Sequence, residues 1–204
     1  YQFGVMPRDY SKLGGILSSP FIHGDWKHLF SNLFSIFTLG IFLFYFYPAR
    51  AIKFLWVSWL ISGILLWLIG RDSYHIGASI WVYSWTVYLF FSGILRKNRY
   101  LQAVSLIMVF LYGSLVWGLF PIDPSMSWEG HLSGSLAGIF LAIIWRKDPV
   151  DQEFYIEPEK EEIEEEEEFP YWEGEEPENE EIKNRDKAIT FRYIYKKDGG
   201  ITPD

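Results

Sequence analysis

Four polar residues stand at or near the beginnings of uncharged, apolar stretches of this sequence: Ser79, His131, His28 and Asn32. A serine hydroxyl can act as a nucleophile when an imidazole takes its proton and later returns it to a leaving amine. Imidazole and carboxamide N–H groups can donate hydrogen bonds to the oxyanion of a tetrahedral intermediate. If these four side chains converge in space, they would support acyl transfer with Ser79 as the nucleophile.

The depth of Ser79 and His131 within their stretches favours such convergence. Ser79 lies 17 residues before the charged Arg96, which is about 25 Å along a helix. His131 lies 15 residues before Arg146, which is about 22 Å. Against an apolar bilayer core about 30 Å thick, both residues are expected within about 10 Å of the same membrane surface.

Each polar residue also has a simpler interpretation. A serine in a membrane span often serves helix packing, and a buried histidine is often only hydrogen-bonded. Several such groups at one end of three spans are harder to explain by packing. Glu129 is two residues from His131 and would face another side of a helix, while Asp72 and Asp123 lie in connections. We therefore expect a Ser79–His131 dyad rather than a triad with an acid.

Three further residues have the spacing to support this pair. Tyr83 lies one helical turn after Ser79 on the same face, where its ring could support His131. Gly134 and Gly138 form a small-xxx-small pair one turn past His131, which predicts close approach of the two helices.

Five uncharged stretches predict the elements that carry these residues. A span needs about 20 apolar residues, and four of the stretches reach that length with little adjustment. A soluble helical protein would need polar helix faces, which these stretches lack. The sequence predicts an all-α, polytopic transmembrane helix bundle, with an interfacial first loop at residues 1–26 and spans at about 27–47, 52–70, 76–95, 100–120 and 129–146.

The basic residues of the connections set the expected orientation. Lys and Arg cluster after the first, third and fifth spans, and the other connections carry one basic residue or none. Because basic connections favour the cytoplasm, the starts of these three spans should face the outside. An odd number of spans that begins outside predicts one more span before Tyr1.

Charge divides the chain into two regions. Residues 1–147 contain 11 Lys and Arg against 5 Asp and Glu, whereas residues 148–204 contain 7 against 21. The acidic region predicts a largely disordered cytoplasmic tail, with calcium or partner binding as the alternative. The chain has no cysteine, which excludes disulfides and thiolate metal sites, and we expect no metal or other cofactor.

Three motifs resemble those of the rhomboid family of intramembrane serine proteases. Residues 23–32, with the sequence HGDWKHLFSN, are similar to the family's His-x4-His-Leu-x2-Asn motif. Residues 77–79 match its Gly-x-Ser motif, and residues 131–138 match His-x2-Gly-x3-Gly. The resemblance covers about residues 1–147 without the family's first span, and it does not include the tail.

The resemblance implies a role for each motif residue. Ser79 would be the nucleophile and His131 the general base and acid. The implied oxyanion and substrate residues are His28, Asn32 and Gly77, with the Ser79 amide, and the supporting residues are Tyr83, His23, Gly134 and Gly138.

The resemblance also implies what the protein does and where. It implies a serine endopeptidase that cleaves transmembrane protein substrates near the extracytoplasmic face, within the lipid bilayer and with no nucleic-acid partner. We expect a multi-pass protein of a bacterial cytoplasmic membrane, with the active site toward the outside and the tail in the cytoplasm.

Ile80 departs from the family pattern, in which glycine usually follows the nucleophile. A branched side chain there is expected to crowd the approach between the third and fifth spans. This motivates a second hypothesis, a catalytically impaired rhomboid-like protein that binds membrane clients. A transporter is a third, but transporters place their sites near the mid-plane in repeated halves, and this sequence has no internal repeat.

Overall fold

Five long helices make up most of the described chain. The computed structural model describes residues 1–148, so the predicted acidic tail lies outside the described residues from residue 149 onward. Within that range the helices are α1 (Gly15–Ser18), α2 (Trp26–Phe46), α3 (Pro48–Ile69), α4 (Ser79–Leu95), α5 (Arg99–Tyr112) and α6 (Trp128–Ile144). Three 3-10 segments lie at Tyr10–Lys12, Ser19–Phe21 and Gly113–Leu119, the last of which extends α5.

The apolar outer surface of these helices requires a membrane. α2, α3 and the combined segment Arg99–Leu119 are long and apolar enough to cross a bilayer, whereas α4 and α6 are shorter apolar helices. α2 leaves Phe30, Phe34 and Phe37 at least 63% exposed, which is stable only where the surroundings are themselves apolar. The predicted all-α membrane helix bundle is therefore confirmed, and the chain is an integral membrane protein.

α4 is the central helix of the bundle. It contacts α2, α3, α5 and α6, and 10 of its 17 residues are buried. A Cβ added at Gly134 of α6 would collide with the Ile80 carbonyl oxygen, and one at Gly138 would collide with the Ser84 carbonyl oxygen. Glycine at these two positions therefore lets the backbones of α4 and α6 come into direct contact.

Local caps fix where two of the helices begin. The Asp25 carboxylate accepts a hydrogen bond from the His28 N–H (2.8 Å) at the start of α2. The Ser127 hydroxyl accepts one from the Gly130 N–H (3.2 Å) at the start of α6. Each cap satisfies a helix N–H that has no intrahelical acceptor. As a result, His28 and His131 lie in the first turns of their helices.

The first loop packs against α3 and the connection from α3 to α4. Val5 and His75 exchange two backbone hydrogen bonds of 2.9 Å. The Arg8 guanidinium donates to the Gly70 carbonyl (2.7 Å), and the Trp59 indole N–H donates to the Ile16 carbonyl (2.9 Å). The bonds of Val5 and Arg8 hold the connection that leads into Ser79, and the Trp59 bond holds α1 against α3.

Candidate active site

Ser79 and His131 lie in direct contact. Ser79 is the first residue of α4 and His131 is the fourth residue of α6, and their Oγ and Nε2 atoms are 3.1 Å apart. The other ring nitrogen, Nδ1, is 2.8 Å from the Gly118 carbonyl oxygen. A carbonyl oxygen can only accept, so Nδ1 carries the proton of the neutral ring. Nε2 is therefore free to accept the Ser79 hydroxyl proton.

Tyr83 covers one face of the His131 ring. The two ring centroids are 4.1 Å apart and the planes differ by 8°. The Tyr83 hydroxyl donates to the Leu115 carbonyl (2.8 Å), which fixes the phenol in turn. Stacking and the bond to Gly118 together leave the imidazole little freedom to rotate away from Ser79.

No carboxylate bonds to the His131 ring in residues 1–148. Glu129 is buried at 3% exposure, and its Oε1 lies 3.7 Å from Nε of Arg71. The place that an aspartate occupies in a Ser-His-Asp triad is taken here by the Gly118 carbonyl. Sequence analysis missed this group, because a backbone carbonyl 13 residues away has no residue type to reveal it.

His28 and Asn32 of α2 lie beside the backbone of Gly77. A Cβ added at Gly77 would be 2.9 Å from Cε1 of His28 and 3.9 Å from Nδ2 of Asn32. Gly77 has a φ of +104°, a conformation that residues with a side chain rarely adopt. Its N–H donates to the Ser19 carbonyl (2.9 Å), which links this turn to the first loop. Glycine thus lets α2 approach the turn that precedes Ser79.

His23 accepts two hydrogen bonds near this turn. Its Nε2 is 3.1 Å from Nδ2 of Asn32 and 3.3 Å from the Ala78 backbone nitrogen. Both partners are N–H groups, so Nε2 accepts from both and the ring is neutral. Burial lowers the pKa of His23, which also favours the neutral ring. One of the two Asn32 amide hydrogens is thereby engaged, and the other is left for a further acceptor.

The Ser79–His131 pair faces an open cleft of about 750 Å³. Its walls come from the start of α2, from the connection between α3 and α4, and from the connection that precedes α6. Polar and apolar side chains line it in similar measure, including His28, Arg71, Tyr74 and Met126. Such a cleft can admit water and an extended peptide segment together.

Ile80 does not lie where the sequence led us to expect it. Its side chain is buried in a cluster with Val5, Ile16 and Leu66, on the side of the first loop and α3. The part of Ile80 that lies nearest to Gly134 of α6 is its backbone carbonyl. The expectation that Ile80 crowds the approach of α4 and α6 is therefore wrong.

A second Ser–His contact lies near the first, and sequence analysis gave it no role. Nδ1 of His75 is 2.6 Å from the Ser127 hydroxyl, and Nε2 is 3.1 Å from the Arg71 carbonyl. The Arg71 guanidinium also donates to the carbonyls of Pro124 (2.9 Å) and Met126 (2.8 Å). These bonds hold the connection that precedes α6. The rarity of histidine in the sequence was the only signal for His75.

No group of three or more histidine or acidic side chains within the described part of the chain is arranged to hold a metal ion. The groups that lie together at the start of α4 are a serine hydroxyl, an imidazole and N–H donors. A family model described as a rhomboid domain matches residues 10–148.

The chain belongs to the rhomboid family. Rhomboid-family proteins are generally intramembrane serine proteases, and they act on transmembrane substrates within the lipid bilayer. The match covers the five long helices and all the residues that sequence analysis assigned to the site.

Mycobacterial proteins are among the relatives of this rhomboid. It is 30% identical over 153 residues to the uncharacterized proteins Rv1337 of Mycobacterium tuberculosis and Mb1372 of Mycobacterium bovis, which covers 69% of this chain and 62% of each relative. It is 29% identical over 144 residues to the uncharacterized protein ML1171 of Mycobacterium leprae, covering 65% of this chain and 56% of that protein. The chain thus spans about three fifths of the length of the curated relatives it matches.

Proposed function

We propose that this rhomboid is a serine endopeptidase that cleaves transmembrane proteins near the extracytoplasmic face of a bacterial cytoplasmic membrane. The observation that carries the proposal is the 3.1 Å contact between Oγ of Ser79 and Nε2 of His131, in a ring whose Nδ1 is held by a carbonyl. In this arrangement the Ser79 hydroxyl can pass its proton to Nε2 of His131, the ring nitrogen that carries no proton in this tautomer.

The geometry supports the following steps for peptide hydrolysis. Ser79 Oγ attacks the scissile carbonyl carbon while Nε2 of His131 takes the hydroxyl proton. The C–N bond then breaks as His131 gives that proton to the leaving amine, which leaves an acyl ester on Ser79. Water hydrolyses the ester with His131 again as the base. The products are two peptides and free enzyme, so the protons balance.

Donors for the oxyanion lie at the start of α4 and on α2. The Ser79 N–H is among the first N–H groups of α4, which have no intrahelical acceptor. His28 and the second amide hydrogen of Asn32 lie beside Gly77, two residues before Ser79. Each such donor is worth about 10²-fold or more in rate when it meets the developing charge.

The substrate must present an extended segment to Ser79. In an intact transmembrane helix each carbonyl is bonded to an N–H four residues later and is shielded by side chains. Residues that weaken the helix near its outer end, such as glycine or proline, release those carbonyls. We propose that substrates carry such residues at the depth of the cleft.

Labelling with a fluorophosphonate probe tests this function directly. We expect the protein in proteoliposomes to be labelled and to cut a transmembrane substrate, and we expect Ser79→Ala to do neither. Ser127→Ala is the matched control, because Ser127 also contacts a histidine yet should keep both properties. Equal labelling of the wild type and Ser79→Ala would refute the proposal. Cleavage by Ile80→Gly but not by the wild type would instead indicate a client-binding protein.

A further inference from the structure

The 3-10 segment Gly113–Leu119 supplies two backbone carbonyls to the site. The Leu115 carbonyl accepts from the Tyr83 hydroxyl (2.8 Å), and the Gly118 carbonyl is paired with Nδ1 of His131 (2.8 Å). The two rings that these carbonyls hold are stacked on each other. One short segment therefore fixes both the ring that contacts Ser79 and the ring that supports it.

The sequence explains why the Gly118 carbonyl is available. Pro121 stands three residues later, where a 3-10 helix would place the donor, and proline has no N–H. The next N–H, that of Ile122, donates to the Phe120 carbonyl (2.8 Å). Because buried carbonyls need a partner, the Gly118 oxygen is left for the imidazole.

We propose that Gly118 is a positioning residue for His131, and that its carbonyl acts in place of the acid of a catalytic triad. The inference rests on the proposed function and names the group that orients its general base. The carbonyl selects the tautomer with the proton on Nδ1 and keeps Nε2 toward Ser79. When His131 accepts the serine proton, its Nδ1–H bond to this oxygen becomes charge-assisted and strengthens.

Glycine is required at this position for a steric reason. A Cβ added at Gly118 would collide with the Tyr83 hydroxyl oxygen and would lie 3.1 Å from Nδ1 of His131. Gly113, at the other end of the segment, is different. A Cβ there would meet only a Val109 methyl at 3.9 Å, an ordinary contact, and Gly113 bonds to neither ring.

An apolar cavity next to Tyr83 gives the stack room to move. Its volume is about 330 Å³, and Tyr83, Leu115 and Val116 are among its lining residues. An alanine at position 118 can therefore displace the Tyr83 ring into this space without unfolding the bundle. We expect loss of alignment at His131 with the helices retained.

Four variants test the inference: Gly118→Ala, Gly113→Ala, Tyr83→Phe and the double variant Tyr83→Phe/Gly118→Ala. We expect Gly118→Ala to lower kcat about 100-fold with KM little changed, as for loss of general-base alignment. Gly113→Ala should stay within about threefold of the wild type. The double variant should be faster than Gly118→Ala, because the hydroxyl that the new Cβ meets is absent.

The ¹⁵N NMR shifts of the His131 ring give a readout independent of activity. The wild type should show a proton on Nδ1 of the neutral ring, and Gly118→Ala should show a mixture of tautomers. Wild-type rates and tautomer in Gly118→Ala would overturn the inference, as would a double variant no faster than Gly118→Ala. A wild type that is not labelled at Ser79 would refute the proposed function instead, while the ring shifts would still report on Gly118.

Discussion

Two serine–histidine contacts lie at the same end of this molecule, and only one has the surroundings of a nucleophile. Ser79 Oγ is 3.1 Å from Nε2 of His131, and Ser127 Oγ is 2.6 Å from Nδ1 of His75. In each ring the second nitrogen is held by a backbone carbonyl, at 2.8 Å for His131 and 3.1 Å for His75. The distance between hydroxyl and imidazole therefore does not distinguish them.

What distinguishes the two pairs is the rest of each serine's surroundings. Ser127 Oγ accepts from the Gly130 N–H and caps α6, so one of its two lone pairs is engaged by the helix. Ser79 caps no helix, since α4 begins without a side-chain cap. It also lies two residues from Gly77, where His28 and Asn32 approach. A Ser–His contact is thus a candidate for catalysis when the hydroxyl is free and donors for an oxyanion lie nearby.

The largest expected effect is a difference in cleavage rate between variants of His131 and of His75. His131→Asn should lower the cleavage rate by about 10²- to 10⁴-fold, since no other described group can take the serine proton. His75→Asn should leave the rate within about threefold and lower the free energy of unfolding by about 1–3 kcal/mol, because buried hydrogen bonds are lost. Cleavage rates and chemical unfolding in the same detergent measure both. An equal loss of rate in the two variants would show that the pairs act together.

A smaller effect is expected from the contact between α4, which carries Ser79, and α6, which carries His131. Gly134→Ala should lower the free energy of unfolding by about 1–3 kcal/mol, because its Cβ collides with the Ile80 carbonyl. Gly40→Ala is the control, since its Cβ would meet only the Trp85 ring at 3.9 Å. Alanine in a helix should raise stability there by up to about 1 kcal/mol. Similar effects of the two changes on unfolding would argue against backbone contact between α4 and α6.

The smallest expected effect is the contribution of His75 to the pH dependence of the unfolding free energy. Burial lowers the pKa of His75 below its ordinary 6.5, so the unfolded chain binds the proton more readily than the folded one. The contribution of neutral His75 to the unfolding free energy is therefore complete above pH 6.5 and is lost as the pH falls below it. We expect the unfolding free energy to drop between about pH 7.5 and about pH 5.5, with a shallower drop in His75→Asn.

The aspartates of the same end do not obscure this measurement. Hydrogen bonds from the Ser11 hydroxyl and backbone hold the pKa of Asp9 below its usual value, and Ser125 does the same for Asp123. Both carboxylates therefore stay ionised through the range in which His75 titrates. An identical pH profile for the wild type and His75→Asn would contradict a neutral, buried His75.

Local pattern was enough to predict an all-α membrane helix bundle. Long uncharged stretches favour helices, because in a bilayer a helix satisfies its backbone hydrogen bonds within a single segment. In the structure Asp25 and Ser127 cap α2 and α6, which places His28 and His131 in the first turns of their helices. The contact of His131 with Ser79 was likewise expected from matched depth, since depth follows from residue counts.

Tertiary structure alone decided the partners of these residues. Whether Ile80 faces α6 or the first loop depends on how α4 is rotated in the bundle, which a uniformly apolar helix does not encode in its periodicity. The bond from His131 to Gly118 joins a side chain to a backbone oxygen, and every residue has one. The residue types and spacing thus predicted which side chains would form the candidate site, and the packing of the helices decided which serine hydroxyl caps a helix and which carbonyl holds the imidazole.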